Sequence, residues 1–408
     1  MKMKNDQYIL YIGNYLDEVV IKKRGLPSRN AAGSNRIHRI ANALKSAGQK
    51  IIIVSPGVSL LTSLMQTFIH KTTVKRTGTV PVLFTPVIGL PFLGALSSFI
   101  FLPLYLIQLR KKRKIAAVII YNFSPLLVFI AFIYRYILGV QVFNNIEDIY
   151  APKLTDWFAK TETNPRQQLI FYFCMKLLVS MSAGLIMPTK KFLGYVDSTK
   201  PYKIITGCID VKNNEITNKR KKNDDKIRLL FSGKIEFEHG IEKLIEALFI
   251  LDQEETSYKQ IKVDICGGGV KSQWLRDKLL EIYNIDITFH GFVTDKQYTE
   301  LLDQADICIA LQDPAGRDAA YKTPSKVYEY MGHYKTVITT DVGDFNDLPN
   351  NVITICKAFT AKALSQIIIR YIENKELIGN QALATGDYAL EHYAYKKVGG
   401  ILSTFINR

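Results

Sequence analysis

The segment 322–344 carries the residues whose types and spacing are best suited to chemistry. Its start, Thr323-Pro324-Ser325-Lys326, is typical of a first helical turn, where proline and serine cost no intrahelical hydrogen bond and backbone N–H groups stay free. Free N–H groups at a helix start favour an anion. Glu329 follows within an otherwise apolar helix, where a buried carboxylate is costly unless something pairs with it. These residues alone leave a solvated carboxylate and a ligand-binding one open.

Two further groups, both in the first half of the chain, could contact a ligand. Gly33-Ser34-Asn35 lies between a strand and a helix, so its N–H groups could face a diphosphate, although a plain tight turn is the alternative. Glu147 and Asp148 follow a short strand, and carboxylates at this end of a parallel strand point into the ligand-binding crevice. A helix cap or an ordinary loop is the alternative for this acidic pair.

The elements that must position these groups alternate between strand and helix. Buried strands of a first sheet are predicted by apolar runs at 8–13, 51–54, 115–121, 141–143 and 185–188. The alternation restarts at Ile227 with a strand, a turn at Gly233, a helix over 240–250 and a strand over 261–266. The pattern predicts an α/β protein with two Rossmann-like domains.

The segment 322–344, KTPSKVYEYMGHYKTVITTDVGD, resembles the KxPSKxxEYMAxGKPVI signature of the family-4 glycosyltransferases, which are retaining enzymes of the GT-B fold. The resemblance implies two Rossmann-like domains facing each other across a cleft, with a nucleotide-sugar donor as substrate and no cofactor. There are two departures from the family pattern. Its Gly-Lys-Pro is Tyr334-Lys335-Thr336 here, and the first glutamate of its E-x7-E pair is Tyr321.

The resemblance also implies roles for single residues in the second half of the chain. Glu329 would bind ribose or sugar hydroxyls of the donor. Gly233 and Lys234 stand where a cation of the family reaches the donor diphosphate. The N–H groups near Ser325, together with Lys326, would share in stabilising the negative charge that develops on the leaving diphosphate.

Other implied roles rest on looser matches. His239 replaces the second cation of the family, and Phe292 lies in a turn, 289–293, that resembles the one that cups the nucleobase. Gly33 and Ser34 stand at the position of a diglycine loop in the family, where only Gly33 remains. Glu147 and Asp148 occupy the place of an acidic or His-Asp pair near the acceptor.

The domain boundaries follow from composition and from the resemblance. Residues 1–210 form the predicted first domain, on the acceptor side, and the polar segment 211–226 the linker. Residues 227–386 form the predicted donor domain. The last segment, 387–408, resembles the tail helix that crosses back onto the first domain.

The charge of the chain is distributed unevenly. Its formal net charge is +16, but the first 200 residues contain 26 Lys and Arg against 8 Asp and Glu. A basic half attracts nucleic acid or anionic lipid. Because this half is also the more apolar one, the pattern favours a membrane surface over nucleic acid.

Two uncharged stretches, 77–109 and 115–134, are long enough to span a bilayer. Pro81, Pro86, Pro91 and Pro103 are expected to break the first, and a strand followed by a helix to divide the second. A surface lying in the membrane interface, flanked by the basic run 110–114, is the favoured interpretation.

The cysteines and histidines bear on the redox compartment and on metal binding. The five cysteines form no CxxC pair, the six histidines form no cluster with them, and no signal peptide precedes the first strand. These patterns predict a reduced cytoplasmic protein without a metal site, peripherally associated with the inner face of the membrane.

The expected function is transfer of a sugar from a nucleotide-sugar donor to a lipid-linked or polysaccharide acceptor in cell-surface glycan synthesis, as in lipopolysaccharide, capsule or exopolysaccharide. Two rivals stay open. One is a nucleotide-sugar epimerase of the same fold. The other is a catalytically silent scaffold protein, which the missing glutamate at Tyr321 supports.

Overall fold

The computed structural model describes most of the chain, in eleven stretches. These are residues 7–24, 31–57, 69–70, 73–77, 80–90, 93–149, 165–196, 198–211, 226–254, 260–316 and 318–408. The predicted linker therefore lies almost entirely outside the described residues, as does Pro91. The chain divides into two compact units: the first comprises Met1–Cys208 with Tyr395–Arg408, and the second Ile209–Ala394.

The first unit is built on a largely parallel sheet. Its described strands are β1 (Gln7–Ile12), β2 (Lys50–Ser55), β3 (Ile69–His70), β4 (Thr73–Thr77), β5 (Val80–Phe84), β6 (Val87–Ile88), β7 (Lys114–Tyr121), β8 (Gln141–Asn145), β9 (Gly184–Met187) and β10 (Tyr202–Ile204). The sheet order is β10-β9-β8-β7-β1-β2-β5-β4, in which β4 alone runs antiparallel to its neighbour. Strands β3 and β6 form a separate antiparallel pair.

Helices cover this sheet. Those described are α1 (Glu18–Arg24), α2 (Ala31–Ser46), α3 (Leu93–Lys112), α4 (Pro125–Phe132), which continues into a π turn (Ile133–Ile137), α5 (Pro165–Met181) and α6 (Phe192–Val196). Ser124 caps α4 by accepting a hydrogen bond from the N–H of Leu127, as its Ser-Pro start predicts.

The second unit contains a purely parallel sheet among its described strands. These are β11 (Ile227–Lys234), β12 (Ile261–Gly268), β13 (Asp286–Gly291), β14 (Ile307–Ala310), β15 (Thr336–Thr340) and β16 (Thr354–Cys356). Their order, β13-β12-β11-β14-β15-β16, is that of a doubly wound Rossmann-like sheet.

The helices of the second unit alternate with its strands. Those described are α7 (Ile241–Asp252), α8 (Ser272–Leu279), α9 (Asp295–Gln304), α10 (Ser325–Gly332), α11 (Ala361–Glu373) and α12 (Glu376–His392). Helix α9 starts with a capping box between Thr294 and Gln297. Short 3₁₀ turns at Phe237–His239, Ala319–Tyr321 and Phe345–Asp347 complete the connections.

The end of the chain returns to the first unit. The segment 387–408 is two helices rather than the predicted one, because α12 ends at His392 and α13 spans Tyr395–Ile406. Helix α13 packs on α2 so closely that a Cβ atom at Gly399 would lie 1.9 Å from the carbonyl oxygen of Ala43. Only glycine allows this approach of two helix backbones.

The apolar stretch 77–109 also differs from expectation. It forms β5, β6 and most of α3, and Pro103 lies inside α3 instead of ending it. A proline forfeits one intrahelical hydrogen bond, and packing of the apolar side of the helix offsets that loss, since Leu102 and Leu106 are buried beside it. Among the described residues, none of the helices combines the length and hydropathy that a membrane span requires.

Candidate functional site

Helix α10 presents its two charged residues, Lys326 and Glu329, on one side. Val327, Tyr330 and Met331 are fully buried, which leaves Lys326 and Glu329, three residues apart, on the more accessible side. Lys326 Nζ lies 3.3 Å from Glu329 Oε2, and the Glu329 side chain is 23% exposed. The carboxylate is therefore paired and still within reach of solvent or a ligand.

Lys326 also contacts Tyr298 of α9. The Lys326 Nζ lies 3.8 Å from the centre of the Tyr298 ring, a distance at which the ring attracts the cation. Burial raises the pKa of Tyr298 far above its ordinary value, so this phenol stays neutral at any physiological pH. Sequence analysis missed Tyr298 because the contact joins two helices that are separate in the chain.

A buried hydrogen bond connects α10 with the end of β11. The hydroxyl groups of Ser232 and Tyr330 lie 2.7 Å apart, and burial raises the pKa of Tyr330. Ser232 directly precedes Gly233 and Lys234, and Tyr330 directly follows Glu329. The structure thus brings two predicted donor-binding segments of the second unit together: the end of β11, with Gly233 and Lys234, and helix α10.

Lys234 leads into a cluster of charged groups after β11. Its Nζ lies 3.7 Å from Glu236 Oε2, and its side chain is 66% exposed. His239 Nε2 lies 3.8 Å from Glu236 Oε2 and 3.5 Å from Glu238 Oε1. Burial is the largest influence on His239 and lowers its pKa below the ordinary 6.5, so that it is neutral at pH 7. The role of His239 beside a bound donor stays a prediction.

The same cluster offers potential metal ligands. The ligand atoms of Glu236, Glu238 and His239 all lie within 4.8 Å of one another, and they form the one such group found among the described residues. Exposed carboxylates gather in this way without a metal as well, and the expectation that no metal is needed stays a prediction.

Glycines let the ends of β11 and β12 approach each other closely. Gly233 and Gly267 have φ angles of +153° and +127°, and a Cβ atom at Gly267 would lie 1.8 Å from the carbonyl oxygen of Gly233. No other residue fits there. Beyond them Phe292 lies over Gly268, since a Cβ at Gly268 would lie 2.4 Å from its ring. Phe292 is 88% exposed, so one ring face is open to stacking.

An unpredicted side-chain contact joins β12 and β13. Asp264 of β12 and His290 of β13 pair across neighbouring strands, with 2.7 Å between Oδ1 and Nε2. Asp264 is nearly buried. The alternation of residues along each strand could have placed both side chains on one face, but the strand order is needed to make them neighbours.

The acidic pair of the first unit has a different environment. Glu147 accepts a hydrogen bond from Arg36 Nε at 2.8 Å and another from Asn145 Nδ2 at 2.7 Å. Arg36 also donates to the carbonyl of Ile205. Burial opposes the charge on Arg36, but the attraction of Glu147 outweighs it and raises the pKa of Arg36. The Glu147 side chain is 11% exposed and satisfied by protein donors.

Asp148 lies beside Glu147 and is more exposed. Its Oδ2 accepts a hydrogen bond from Asn122 Nδ2 at 2.6 Å. Asn122 Oδ1 in turn accepts from the backbone N–H groups of Glu147 and Asp148, which fixes the turn after β8. Asn122 has a positive φ of 56°, a conformation that asparagine tolerates better than most residues. These contacts agree with the loop-fixing alternative for the pair, and a role near the acceptor stays a prediction.

The predicted glycine loop at residues 33–35 is absent. Gly33 and Ser34 lie in the first turn of α2, which begins at Ala31. Ser34 is buried, and its Oγ accepts a hydrogen bond from the N–H of Leu16 at 2.9 Å. Glycine and serine have weaker helix propensity than alanine, and the packing of Ile37, Ile40 and Leu44 on the sheet overrides it.

The comparisons with known proteins agree with this architecture. Residues 212–389 match the model of the family described as glycosyl transferases group 1. No curated protein is significantly similar to the chain. The solved structures are similar over nearly the whole length. Sucrose-phosphate synthase (tll1590) from Thermosynechococcus elongatus matches with a TM-score of 0.67 at 14% identity, with 98% of each chain covered.

Two further solved structures match over 98% of this chain and 99% of theirs, each with a TM-score of 0.61 at 13% identity. One is Anabaena Alr3699/HepE in complex with UDP-glucose, and the other is WaaG, a glycosyltransferase involved in lipopolysaccharide biosynthesis. At such identities the likeness concerns the fold. The prediction of an α/β protein of the GT-B class, with two Rossmann-like domains, is confirmed.

Proposed function

We propose that this protein is a retaining glycosyltransferase of family 4, which moves a sugar from a nucleotide-sugar donor to a lipid-linked or polysaccharide acceptor. One observation carries the proposal. The partly exposed Glu329 and Lys326 lie on a helix that a Tyr330–Ser232 hydrogen bond joins to the strand end carrying Lys234, within a segment that matches the glycosyl transferases group 1 model. The binding of UDP-glucose by Anabaena HepE, which shares the fold, supports a nucleotide sugar as donor.

The chemistry follows from the charges at this edge of the sheet. When the bond from the sugar to the diphosphate breaks, negative charge develops on the leaving phosphate, and fixed cations stabilise it. Lys234, with its exposed ammonium group, and Lys326 at the start of α10 are the proposed cations, aided by the N–H groups near Ser325. In a retaining transfer by same-face attack, the leaving diphosphate accepts the proton of the acceptor hydroxyl.

Glu329 has a separate role in the proposal. Its carboxylate accepts hydrogen bonds from hydroxyl groups of the ribose or the sugar, and such charge-assisted bonds are about twice as strong as neutral ones. Lys326 Nζ, 3.3 Å away, orients the carboxylate. Phe292, with its exposed ring, stacks on the nucleobase, and Gly233 lets the backbone approach the diphosphate.

The proposed setting is cell-surface glycan synthesis at the cytoplasmic face of a membrane. The basic and apolar first half of the sequence supports a membrane-borne acceptor, and WaaG, of similar fold, is described as acting in lipopolysaccharide biosynthesis. In the first unit, Asp148 is the more accessible of the acidic pair and therefore the better candidate for contact with the acceptor.

Incubation with radiolabelled nucleotide sugars and a membrane lipid extract tests the proposal. Label transferred to lipid supports it, interconversion of the donor identifies the epimerase rival, and absence of both identifies the silent scaffold. A thermal-shift screen with UDP-, GDP-, ADP- and dTDP-sugars selects the donor, because a ligand at 100 times its Kd stabilises the folded protein by about 2.7 kcal/mol.

A further inference from the structure

Three neighbouring helices of the first unit expose apolar stripes. Helix α4 packs against both α3 and α5, with Phe99 and Phe129 in ring contact at 6.4 Å across the first of these interfaces. Along α3, Leu96, Ile100 and Leu104 recur at intervals of four residues and are each more than half exposed. Soluble helices present polar residues on their outer side, so this stripe requires an explanation.

The stripe continues over the other two helices. Phe132 is exposed at the end of α4. Ile137 is exposed in the π turn, with an exposed fraction of 66%. On α5, Ile170, Phe173 and Leu177 recur at helical spacing and are each at least half exposed. We call these exposed residues of α3, α4, the π turn and α5 the apolar face.

Each of the three stripes includes or ends in an exposed basic residue. Lys111 follows Ile107 by one turn on α3, Arg135 lies between Phe132 and Tyr136, and Arg166 precedes Ile170 by four residues on α5. The basic run 110–114 is exposed throughout. From residue 19 to residue 146 the sequence contains no Asp or Glu at all.

We infer that the apolar face docks on an anionic phospholipid surface. Exposed apolar side chains enter the boundary between headgroups and acyl chains, while lysine and arginine beside them contact lipid phosphates. A second copy of this chain is a poorer occupant, because a self-complementary interface would bring two basic rims together, and α3, α4, the π turn and α5 contain no carboxylate to neutralise them. The inference deepens the proposed function, since it gives the side from which a lipid-linked acceptor is reached.

Vesicle sedimentation of the full chain tests the inference without any donor or acceptor. We expect binding to phosphatidylcholine vesicles containing phosphatidylglycerol, weakening with salt, and little binding to pure phosphatidylcholine. The triple substitution Ile100→Ser, Phe132→Ser and Phe173→Ser, one on each helix, should lower the partition coefficient by about 100-fold or more. The matched control Val270→Ser, Leu280→Ser and Tyr283→Ser changes exposed residues of the second unit and should leave binding unchanged.

Charge is tested separately. Neutralising Lys111, Arg135 and Arg166 to Gln should weaken binding by about 100-fold, on the basis of the usual contribution of each basic residue near an anionic surface. The control Lys296→Gln, Lys357→Gln and Lys362→Gln removes the same charge from the second unit and should have no comparable effect.

A spectroscopic variant keeps the inference falsifiable if the triple variant does not fold. Ile100→Trp should show a blue-shifted emission with anionic vesicles and quenching by brominated lipids. No binding to any vesicle, equal binding to neutral ones, or a dimer in lipid-free solution that the Ile100, Phe132 and Phe173 substitutions dissociate would overturn the inference. Vesicle binding needs no sugar transfer. It can therefore fail while the proposed activity is present, and the activity can be absent while vesicle binding is present.

Discussion

The ion pairs of the two units use the same kinds of charge in opposite ways. In the first unit, Arg36 and Glu147 lie 2.8 Å apart, and neither side chain is more than 13% exposed. In the second, Lys326 and Glu329 lie 3.3 Å apart with 33% and 23% exposed. The first pair is completed by protein donors, whereas the second retains accessible surface.

The difference distinguishes a structural pair from one that can still contact a ligand. Burying two charges costs several kcal/mol per ion, and only close geometry and further hydrogen bonds offset it, as Asn145 and the carbonyl of Ile205 do for Glu147 and Arg36. A partly exposed pair keeps much of its hydration, and a ligand that binds there replaces these water contacts with its own. Substitutions in the first unit should therefore change stability, and those in the second should change activity.

The largest expected effect is that of Glu329→Gln. This substitution should abolish measurable transfer, because an amide cannot supply the charge-assisted hydrogen bonds of a carboxylate. The melting temperature should change by no more than about 2 °C, as for a partly exposed site. Glu300→Gln, on the exposed side of α9, is the matched control and should retain activity. Transfer by Glu329→Gln within about threefold of the parent would remove Glu329 from the site.

Arg36→Met should have the largest effect on stability. It leaves Glu147 buried without its cation, which typically costs about 3–5 kcal/mol in the free energy of unfolding. Denaturant titration measures this loss, and the additional substitution Glu147→Leu should recover much of it by removing the unpaired charge. If the single variant is as stable as the parent, Glu147 is not dependent on Arg36, and the contrast between the two units fails.

Lys234→Ala should reduce kcat/KM by roughly 100-fold, the scale of losing one charge-stabilising contact. Its unfolding free energy should change little, because the Lys234 side chain is 66% exposed and its pairing with Glu236 is screened by solvent. Lys296→Ala removes an even more exposed cation and should leave the kinetics unchanged. An unchanged kcat/KM in Lys234→Ala would mean that the diphosphate is bound elsewhere.

The smallest effect concerns His239 and pH. Burial lowers its pKa in the folded protein below 6.5, so its contribution to stability is present above pH 6.5 and is lost as pH falls through the folded pKa. Donor affinity should instead increase as pH falls, because protonation gives His239 a positive charge beside the proposed diphosphate site.

Titration of UDP-glucose between pH 7.5 and 5 would measure this as a few-fold tightening that His239→Gln lacks. A nucleotide sugar is suited to the measurement, since its diphosphate does not titrate in this range. Identical pH profiles for parent and variant would place His239 outside the donor site.

The structure confirms much of what local sequence patterns predict. The runs at 8–13, 51–54 and 115–121 form strands because each is an uninterrupted apolar run suited to the interior of a parallel sheet. The strand predicted to start at Ile227 is also present, although Arg228 and Ser232 interrupt its apolar residues. Helix α10 starts at Ser325, as its Pro-Ser start predicts. Lys326 and Glu329 could be paired from sequence because helical geometry alone makes residues three apart neighbours.

Other features followed from no local signal, and some local signals were misleading. Pro103 continues a helix, and Gly33 lies within one, because burial of the flanking apolar residues outweighs weak local propensity. The acidic pair at Glu147 and Asp148 was correctly placed after a strand, but its partner Arg36 lies 111 residues away in the chain.

The sequence by itself determined the strand and helix order, the two-unit α/β class and the charge asymmetry, since these depend on periodicity and composition. Tertiary structure alone decided which charges are buried and which stay accessible. Arg36 reaches Glu147, Tyr298 reaches Lys326, and the stripes of α3, α4 and α5 remain exposed only because of how distant segments pack. Desolvation depends on every atom around a group, and those atoms come from parts of the chain that only folding brings together.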